Sequence, residues 1–388
     1  MRRQLFVFLV LIGALLVYTS FKLQDSLSTS FWFILPFMLP LFFLMFGGTL
    51  LSRTNQQVNE KRWFQTFSSV GPVMIGLWGS YIIFSLISDL LKIILVGGYN
   101  LLQIKVIPED YLNNGFETVS HLTLLAAFAV VIFGFFEVLR GPVVKSVNIF
   151  RAQVTAALNN LKIIQISDLH IGASIGHHYV NKVIQKTNQL NPDLIVITGD
   201  LVDGKPNTIQ EVIDCLAGLK AKYGVYYVTG NHEYYWGIET VLNSLKNTGL
   251  QILLNENKTI DINGSKLAIA GVTDPTSRSM HPERAQDISR ASKGIESADF
   301  KILLAHQPSI YSSAQDLNFD LQLSGHTHAG QFFPFSLFIG LFHKYSRGLY
   351  KHKNMHLYVN PGTGFWGPAN RFGIPAEITL LNLRNDVN

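Results

Sequence analysis

The stretch Leu323–Gln331 reads "LSGHTHAGQ": an apolar start, a glycine, two histidines one residue apart, and a second glycine. Histidines at that spacing can face a single point where the backbone is extended or sharply turned. Earlier runs end in the same way: "LKIIQISDLH", "PDLIVITGDLVDG", "YGVYYVTGNHEYYWG", "SKLAIAGVTD" and "FKILLAHQPS". Together they present Asp168 and His170, then Asp200 with Asp203 nearby, then Asn231 and His232, then His306, and finally His326 and His328. Continuous apolar runs of this length suit strands covered on both faces. Between some of them, Tyr179–Gln189 and Thr208–Lys222 have helical spacing, and "LYVNPGTGFW" and "AEITLLNL" read as later strands. The pattern predicts an α/β fold. In such folds the loops beyond strand C-termini are free to vary while the strands stay rigid, so one sheet edge can gather all these groups.

The chemistry of the set is specific. Carboxylate oxygen, imidazole nitrogen and amide oxygen are ligands for borderline divalent ions such as Mn, Fe, Zn, Co or Ni. No thiolate contributes. The chain has a single cysteine, Cys215, which reads as a small buried hydrophobe and excludes an internal disulfide. There are more ligands than one ion needs, and Asp200, central in the order, is the candidate to bridge two. Two ions about 3.5–4 Å apart can polarise a phosphoryl oxygen and lower the pKa of a bound water, giving hydroxide at neutral pH. Gly199, Gly230 and Gly325 each precede a candidate ligand, as tight turns against a metal would require.

The ordered series "DLH…GD…GNHE…H…GHTH" resembles the calcineurin-like metallophosphoesterase superfamily, over roughly Lys162 to Leu383. "ISDLHIG", "GHTHAGQ" and "NPGTGFWGPANRFGIPAEI" are more closely similar to its membrane-associated bacterial branch, the YkuE/YaeI-like proteins. The resemblance implies a β-sandwich flanked by helices, a phosphoesterase activity and two divalent ions, with Mn, Fe or Zn favoured. It implies that Asp168, His170 and His328 hold the first ion, that Asn231, His306 and His326 hold the second, and that Asp200 bridges. His232 matches the histidine that binds neither ion and assists the leaving group. Ala329 stands where relatives often carry glycine.

Neighbouring residues have plainer expectations. Asp203 is read as a loop carboxylate, His177 and His178 as a solvated pair, Arg371 as a surface arginine and Asp274 as ordering a turn. Tyr234, Tyr235 and Trp236 suit either a substrate wall or helix packing.

The first 139 residues are different in kind. Apolar runs at Leu5–Phe21, Phe31–Leu51, Val70–Val96 and Thr118–Leu139 are each long enough to cross a bilayer, which takes about 20 helical residues. Asp89 and Lys92 suggest that the third stops near Ser88. No small-residue cleavage site follows the first run, so it is read as an uncleaved anchor. Residues 1–139 are therefore expected to form a four-helix membrane bundle, followed by a phosphoesterase domain at 140–388. Arg2 and Arg3, then Arg53, Lys61 and Arg62, then Arg140, Lys145 and Arg151 fall on one side of four spans. The opposite connections hold Lys22, and Lys105 beside Glu109 and Asp110. The bias places the catalytic domain in the cytoplasm. The net charge of +5 is modest, and no basic run interleaved with aromatics suggests nucleic acid.

"GQFFPFSLFIGLFHKYSRGLY" follows the paired histidines directly and is densely apolar, then basic. It reads either as a core hairpin or as a loop inserted in the membrane interface, with Lys344 and Arg347 meeting anionic headgroups. The second reading makes a phospholipid or lipid-linked phosphate the substrate. A tethered phosphodiesterase acting on a soluble ester, and a non-catalytic sensor or scaffold, are the alternatives. The sequence does not fix an oligomeric state.

Overall fold

A computed structural model describes residues 2–54, 62–102 and 109–385 of the chain, which divides into two compact units. Lys61 and Lys105, used above for orientation, lie outside the described residues.

The first unit holds four helices, Arg2–Leu27, Phe31–Thr54, Arg62–Leu102 and Glu109–Arg140, the last continuing into the second unit from Glu137. Three candidate spans lie within them at Val10–Leu27, Val70–Gly97 and Thr118–Arg140, each long and apolar enough to cross a membrane. The second expected span falls on Phe31–Thr54, where the candidate apolar helix is the shorter Phe31–Phe43. The third candidate span, Val70–Gly97, does not stop at Ser88. Its helix runs on past Asp89, whose carboxylate accepts a hydrogen bond from the Tyr18 hydroxyl at 2.8 Å and pairs with Lys22. A partnered charge is tolerated where a lone one would end the span. The Trp78 indole donates to Thr19 Oγ1 at 2.8 Å, giving another polar tie between these helices.

Two short stretches from far along the chain, Phe332–Pro334 and Gly367–Phe372, also belong to this unit. The Phe333 ring stacks on Phe84 with centroids 5.1 Å apart, and Pro334 packs so closely on Gly79 that a Cβ there would lie 3.2 Å from its ring. The Arg371 amide donates to the Gly134 carbonyl at 3.0 Å. Arg371 is fully buried, not the surface residue its polarity suggested.

The second unit contains two six-stranded mixed sheets. Across the first lie Val143–Phe150, Glu377–Arg384, Lys162–Ile166, Leu194–Thr198, Val225–Val228 and Gln251–Ile252. Across the other lie Gly348–His352, Met355–Val359, Leu321–Ser324, Phe300–Leu304, Ser265–Gly271 and Glu256–Ile262. Ile163, Val196 and Tyr226 of the first share one buried cluster with Ile269, Ile302 and Leu323 of the other. The sheets therefore close on one core, where strand-end reasoning alone left a single open sheet equally admissible. Helix His177–Gln189 buries Val180, Val183 and Ile184, consistent with its expected helical spacing. The helix expected at Thr208–Lys222 starts at Pro206 and ends at Asp214, followed by a short 3-10 turn through Gly218. Helix interiors disfavour glycine, and here the chain turns toward the next strand.

Candidate metal centre

Parallel pairing aims the strand ends alike. Lys162–Ile166 runs parallel to Leu194–Thr198, which runs parallel to Val225–Val228; Phe300–Leu304 runs parallel to Leu321–Ser324. The loops that follow these strands carry every expected site residue, and the structure brings them together. Asp168, His170 and His328 form one group able to hold an ion; Asp168, Asp200 and His306 form another; His170, Asp200 and His232 form a third. Asn231 Oδ1 lies 3.2 Å from His306 Nε2 and 3.0 Å from His326 Nδ1, which is itself 3.2 Å from His306 Nε2.

The turns that deliver these groups are backbone-strained. Asp168, His170, Asp200, His326 and His328 all have φ between 48° and 72°. That left-handed region costs an L-residue about 1–2 kcal/mol. It redirects each side chain inward immediately beyond its strand. Gly199, at φ +87°, takes up a left-handed conformation with no Cβ penalty. Gly325 serves closeness instead: a Cβ there would stand 1.9 Å from Ser167 Oγ and 2.2 Å from Asp168 Oδ2.

The donor set fits cations. His306 Nδ1 sits 2.8 Å from the Thr198 carbonyl, which can only accept, so that nitrogen carries the hydrogen. In the neutral ring, Nε2 is then a bare lone pair. It faces Asp200 Oδ2 at 3.3 Å, Asn231 Oδ1 at 3.2 Å and His326 Nδ1 at 3.2 Å, acceptors all if His326 is neutral at that atom. On the other side His170 Nε2 faces His328 Nε2 at 3.0 Å, and His328 Nε2 stands 3.4 Å from Asp168 Oδ1. Clustered lone pairs repel unless protons or cations lie among them. Burial lowers His170 to about 4 and His326 to about 3, so those rings are neutral and free to offer a lone pair. Burial raises Asp168 to about 6. For Asp200, burial acts upward but is outweighed by His306, His232 and His170, which hold it well below its usual value. Burial would lower His306, but the Asp200 carboxylate overrides it and raises the ring well above the usual imidazole range, so that without an ion a proton takes the place at Nε2 that a cation would take.

His232 is placed differently. Its side chain is 13% exposed, its Nδ1 is 2.8 Å from Asp203 Oδ1, and its Nε2 is 3.9 Å from Asp200 Oδ2. Burial acts to lower it, but the bond to Asp203 and the charge of Asp200 raise it to about 9. Asp203 is thus a partner of this histidine, not the idle loop carboxylate expected, and it also accepts from Trp236 Nε1 at 2.9 Å. Its short distance from Asp200 in sequence was the available signal. Glu233 was missed as well. Fully buried, its carboxylate accepts from the amides of Asp200, Leu201, Val202 and Gly230 at 2.6–3.1 Å, tying two site loops together. Burial raises it to about 7. Tyr234 is buried, Trp236 bonds Asp203, and the exposed Tyr235 ring lies 5.3 Å from that of His232. Asp274 orders its turn as expected, accepting from the Thr276 amide at 2.8 Å. Cys215 is half-buried, not buried, with Sγ 3.4 Å from His177 Nδ1.

Residues 161–330 match the family model for calcineurin-like phosphoesterases. A metallophosphoesterase of Helicobacter pylori (strain J99) is 40% identical over 277 residues, covering 71% of each chain. A zebrafish (Danio rerio) "transmembrane protein with metallophosphoesterase domain" is 31% identical over 284 residues, covering 71% of this chain and 65% of that one. The metallophosphoesterase YkuE of Bacillus subtilis is 34% identical over 236 residues, covering 58% of this chain and 80% of that one. Since a relative so similar is matched over most of its length, and the ordered loops from both sheets bring their candidate ligands together, the chain belongs to the calcineurin-like metallophosphoesterases, which are metal-dependent phosphoesterases.

Proposed function

We propose that the chain hydrolyses a phosphate ester at a membrane surface, using two divalent ions. Asp168, His170 and His328 would hold the first, Asn231, His306 and His326 would hold the second, and Asp200 would serve both. The observation that carries this reading is the convergence of ligand atoms: His306 Nε2 lies 3.2–3.3 Å from Asn231 Oδ1, His326 Nδ1 and Asp200 Oδ2, and Asn231 Oδ1 lies 3.0 Å from His326 Nδ1, beside the group of Asp168, His170 and His328. When bound, the ions would supply charge for the phosphoryl oxygens and acidify the attacking water. His232 holds a proton at Nδ1 toward Asp203 and offers Nε2 to the reacting group, where it protonates the departing oxygen. Asp203 fixes that ring's orientation and Glu233 fixes the loops that carry Asp200 and Asn231. We place the boundary between membrane and catalytic parts at residues 139 and 140, with four spans and the catalytic part in the cytoplasm.

The test is metal analysis of the full chain, with phosphomonoester and phosphodiester turnover measured beside His232→Ala. Near two equivalents of Mn, Fe or Zn, and turnover that falls in the variant, are expected. No bound metal and no turnover above the variant would leave a non-catalytic scaffold instead.

A further inference from the structure

The rim of the candidate site is apolar and exposed, which a site for a small hydrophilic ester does not require. Helix Phe335–Phe342, the sequence "FSLFIGLF", buries none of its residues. Leu341 is 80% and Phe342 79% exposed, with Leu337 and Phe338 also open. Leu337, Phe338, Leu341 and Phe342 recur at helical spacing and share a face. Its C-terminal end reaches the site: the ring of His343 lies 5.6 Å from that of His326. A cavity of about 230 Å³ connects them, lined by Gln307, Tyr311, His326, Phe342, Lys344 and Tyr345. The Lys344 ammonium lies over the Tyr311 and Tyr345 rings at 5.6 and 5.2 Å, a cation at the cavity wall. Beside His232 the rim is again apolar. Trp366, 54% exposed, has its ring 5.9 Å from that of His232.

Both rim elements are continuous in the chain with residues of the helical unit. Pro334 packs on Gly79 of a candidate span, and the exposed helix begins at the next residue. Gly367 begins the second stretch that belongs to that unit, and Trp366 is the residue before it. One peptide link spans about 3.8 Å between Cα atoms. An exposed apolar helix tethered this closely to a membrane-crossing segment has hydrocarbon within its reach, and burial there removes its apolar surface from water.

Resting on the phosphoesterase reading above, we propose that the substrate is an amphiphilic phosphate ester taken from the lipid bilayer. The exposed helix and Trp366 enter the headgroup boundary, the acyl chain lies along Leu337, Leu341 and Phe342, and Lys344 meets the anionic headgroup. Hydrolysis forms a bond from water oxygen to phosphorus and breaks the bond from phosphorus to the ester oxygen, which takes a proton.

The experiment uses the full chain, Mn-loaded in detergent micelles, with p-nitrophenyl alkyl phosphodiesters from ethyl to dodecyl. The matching alkyl monophosphates are read by phosphate release. Each fully buried methylene contributes about fourfold, so partial burial of the chain should raise kcat/KM about tenfold or more between the end members. The double variant Leu337→Ser/Leu341→Ser changes exposed residues outside the cavity lining, and should flatten this chain-length slope. Lys344→Ala should raise KM more than it lowers kcat, with Lys344→Arg restoring much of it. Turnover of the ethyl ester with no chain-length slope, or a slope the double variant leaves intact, overturns the lipid assignment while the phosphoesterase reading stands. A double variant that alters oligomeric state but not the slope overturns it too. No turnover of any ester refutes the phosphoesterase reading itself.

Discussion

Removing the Asp203 carboxylate tests how His232 works. Asp203 Oδ1 accepts from both His232 Nδ1 at 2.8 Å and Trp236 Nε1 at 2.9 Å. In Asp203→Asn the amide oxygen can keep both bonds but loses the charge. A hydrogen bond to a charged group is worth about 1.5–3 kcal/mol and a neutral one about 0.5–1.5, so the loss is about 1–1.5 kcal/mol. That corresponds to roughly 5- to 13-fold in kcat/KM. Asp203→Ala removes the whole bond, about 1.5–3 kcal/mol, or roughly 12- to 160-fold. Both effects act through His232. In a His232→Asn background, Asp203→Ala should therefore cost less than about threefold, because coupled residues are strongly non-additive. The assay is hydrolysis of bis(p-nitrophenyl) phosphate by Mn-loaded protein, with metal content checked for all four members of the cycle. Equal costs in both backgrounds would refute the reasoning. Asp203 would then act elsewhere, with His170 Nδ1, 3.7 Å from Asp203 Oδ2, as the next group to examine.

Glu233→Gln leaves one acceptor oxygen for four backbone donors, so about two buried amides lose their partner. The expected loss is about 2–6 kcal/mol, seen as a lower melting temperature of the catalytic unit together with reduced metal content. Gly325→Ala places a Cβ 2.2 Å from Asp168 Oδ2 and should reduce metal content without changing helical circular dichroism. Asp320→Ala leaves Arg151, its 2.9 Å partner, charged and buried, costing about 3–5 kcal/mol in thermal unfolding with little change in KM. Chelation should lower the melting temperature of the wild type and have little effect on His306→Ala, whose metal content is expected to be reduced already.

The site was legible in sequence because its signals are local. Each candidate ligand follows a buried strand by a few residues, and parallel pairing then delivers the ends together. The outer strands were not. Val143–Phe150 and Glu256–Ile262 are mostly exposed or half-buried and lie at sheet edges, so no long apolar run marks them. The closure of two sheets on one core depends on which strands pair, a long-range property that apolar runs do not encode. Arg371 and Glu233 show the same limit. Arg371 was expected at the surface and Glu233 drew no expectation, yet each is buried, Glu233 because backbone amides surround it. The exposed helix at Phe335–Phe342 errs in the other direction, since apolar composition alone also suited a core hairpin.

The strained turns explain why the centre needs so much support. Five candidate ligands sit at positive φ. At about 1–2 kcal/mol each, that conformation costs roughly 5–10 kcal/mol, similar to the whole net stability of a domain. Burial of Asp168 and Asp200 together adds to the cost, since both carboxylates stand in one buried cluster. Such a constellation persists only where its surroundings over-determine it. Here the surroundings are identifiable: four amides on Glu233, the Ser167 hydroxyl 2.5 Å from Asp168 Oδ2, and the His326 amide on the same carboxylate at 3.0–3.1 Å. Ions bound among the lone pairs would offset the remaining repulsion. The geometry is thus held mainly by residues that carry no metal, and variants of Glu233 or Ser167 should resemble loss of a ligand more than loss of a surface contact.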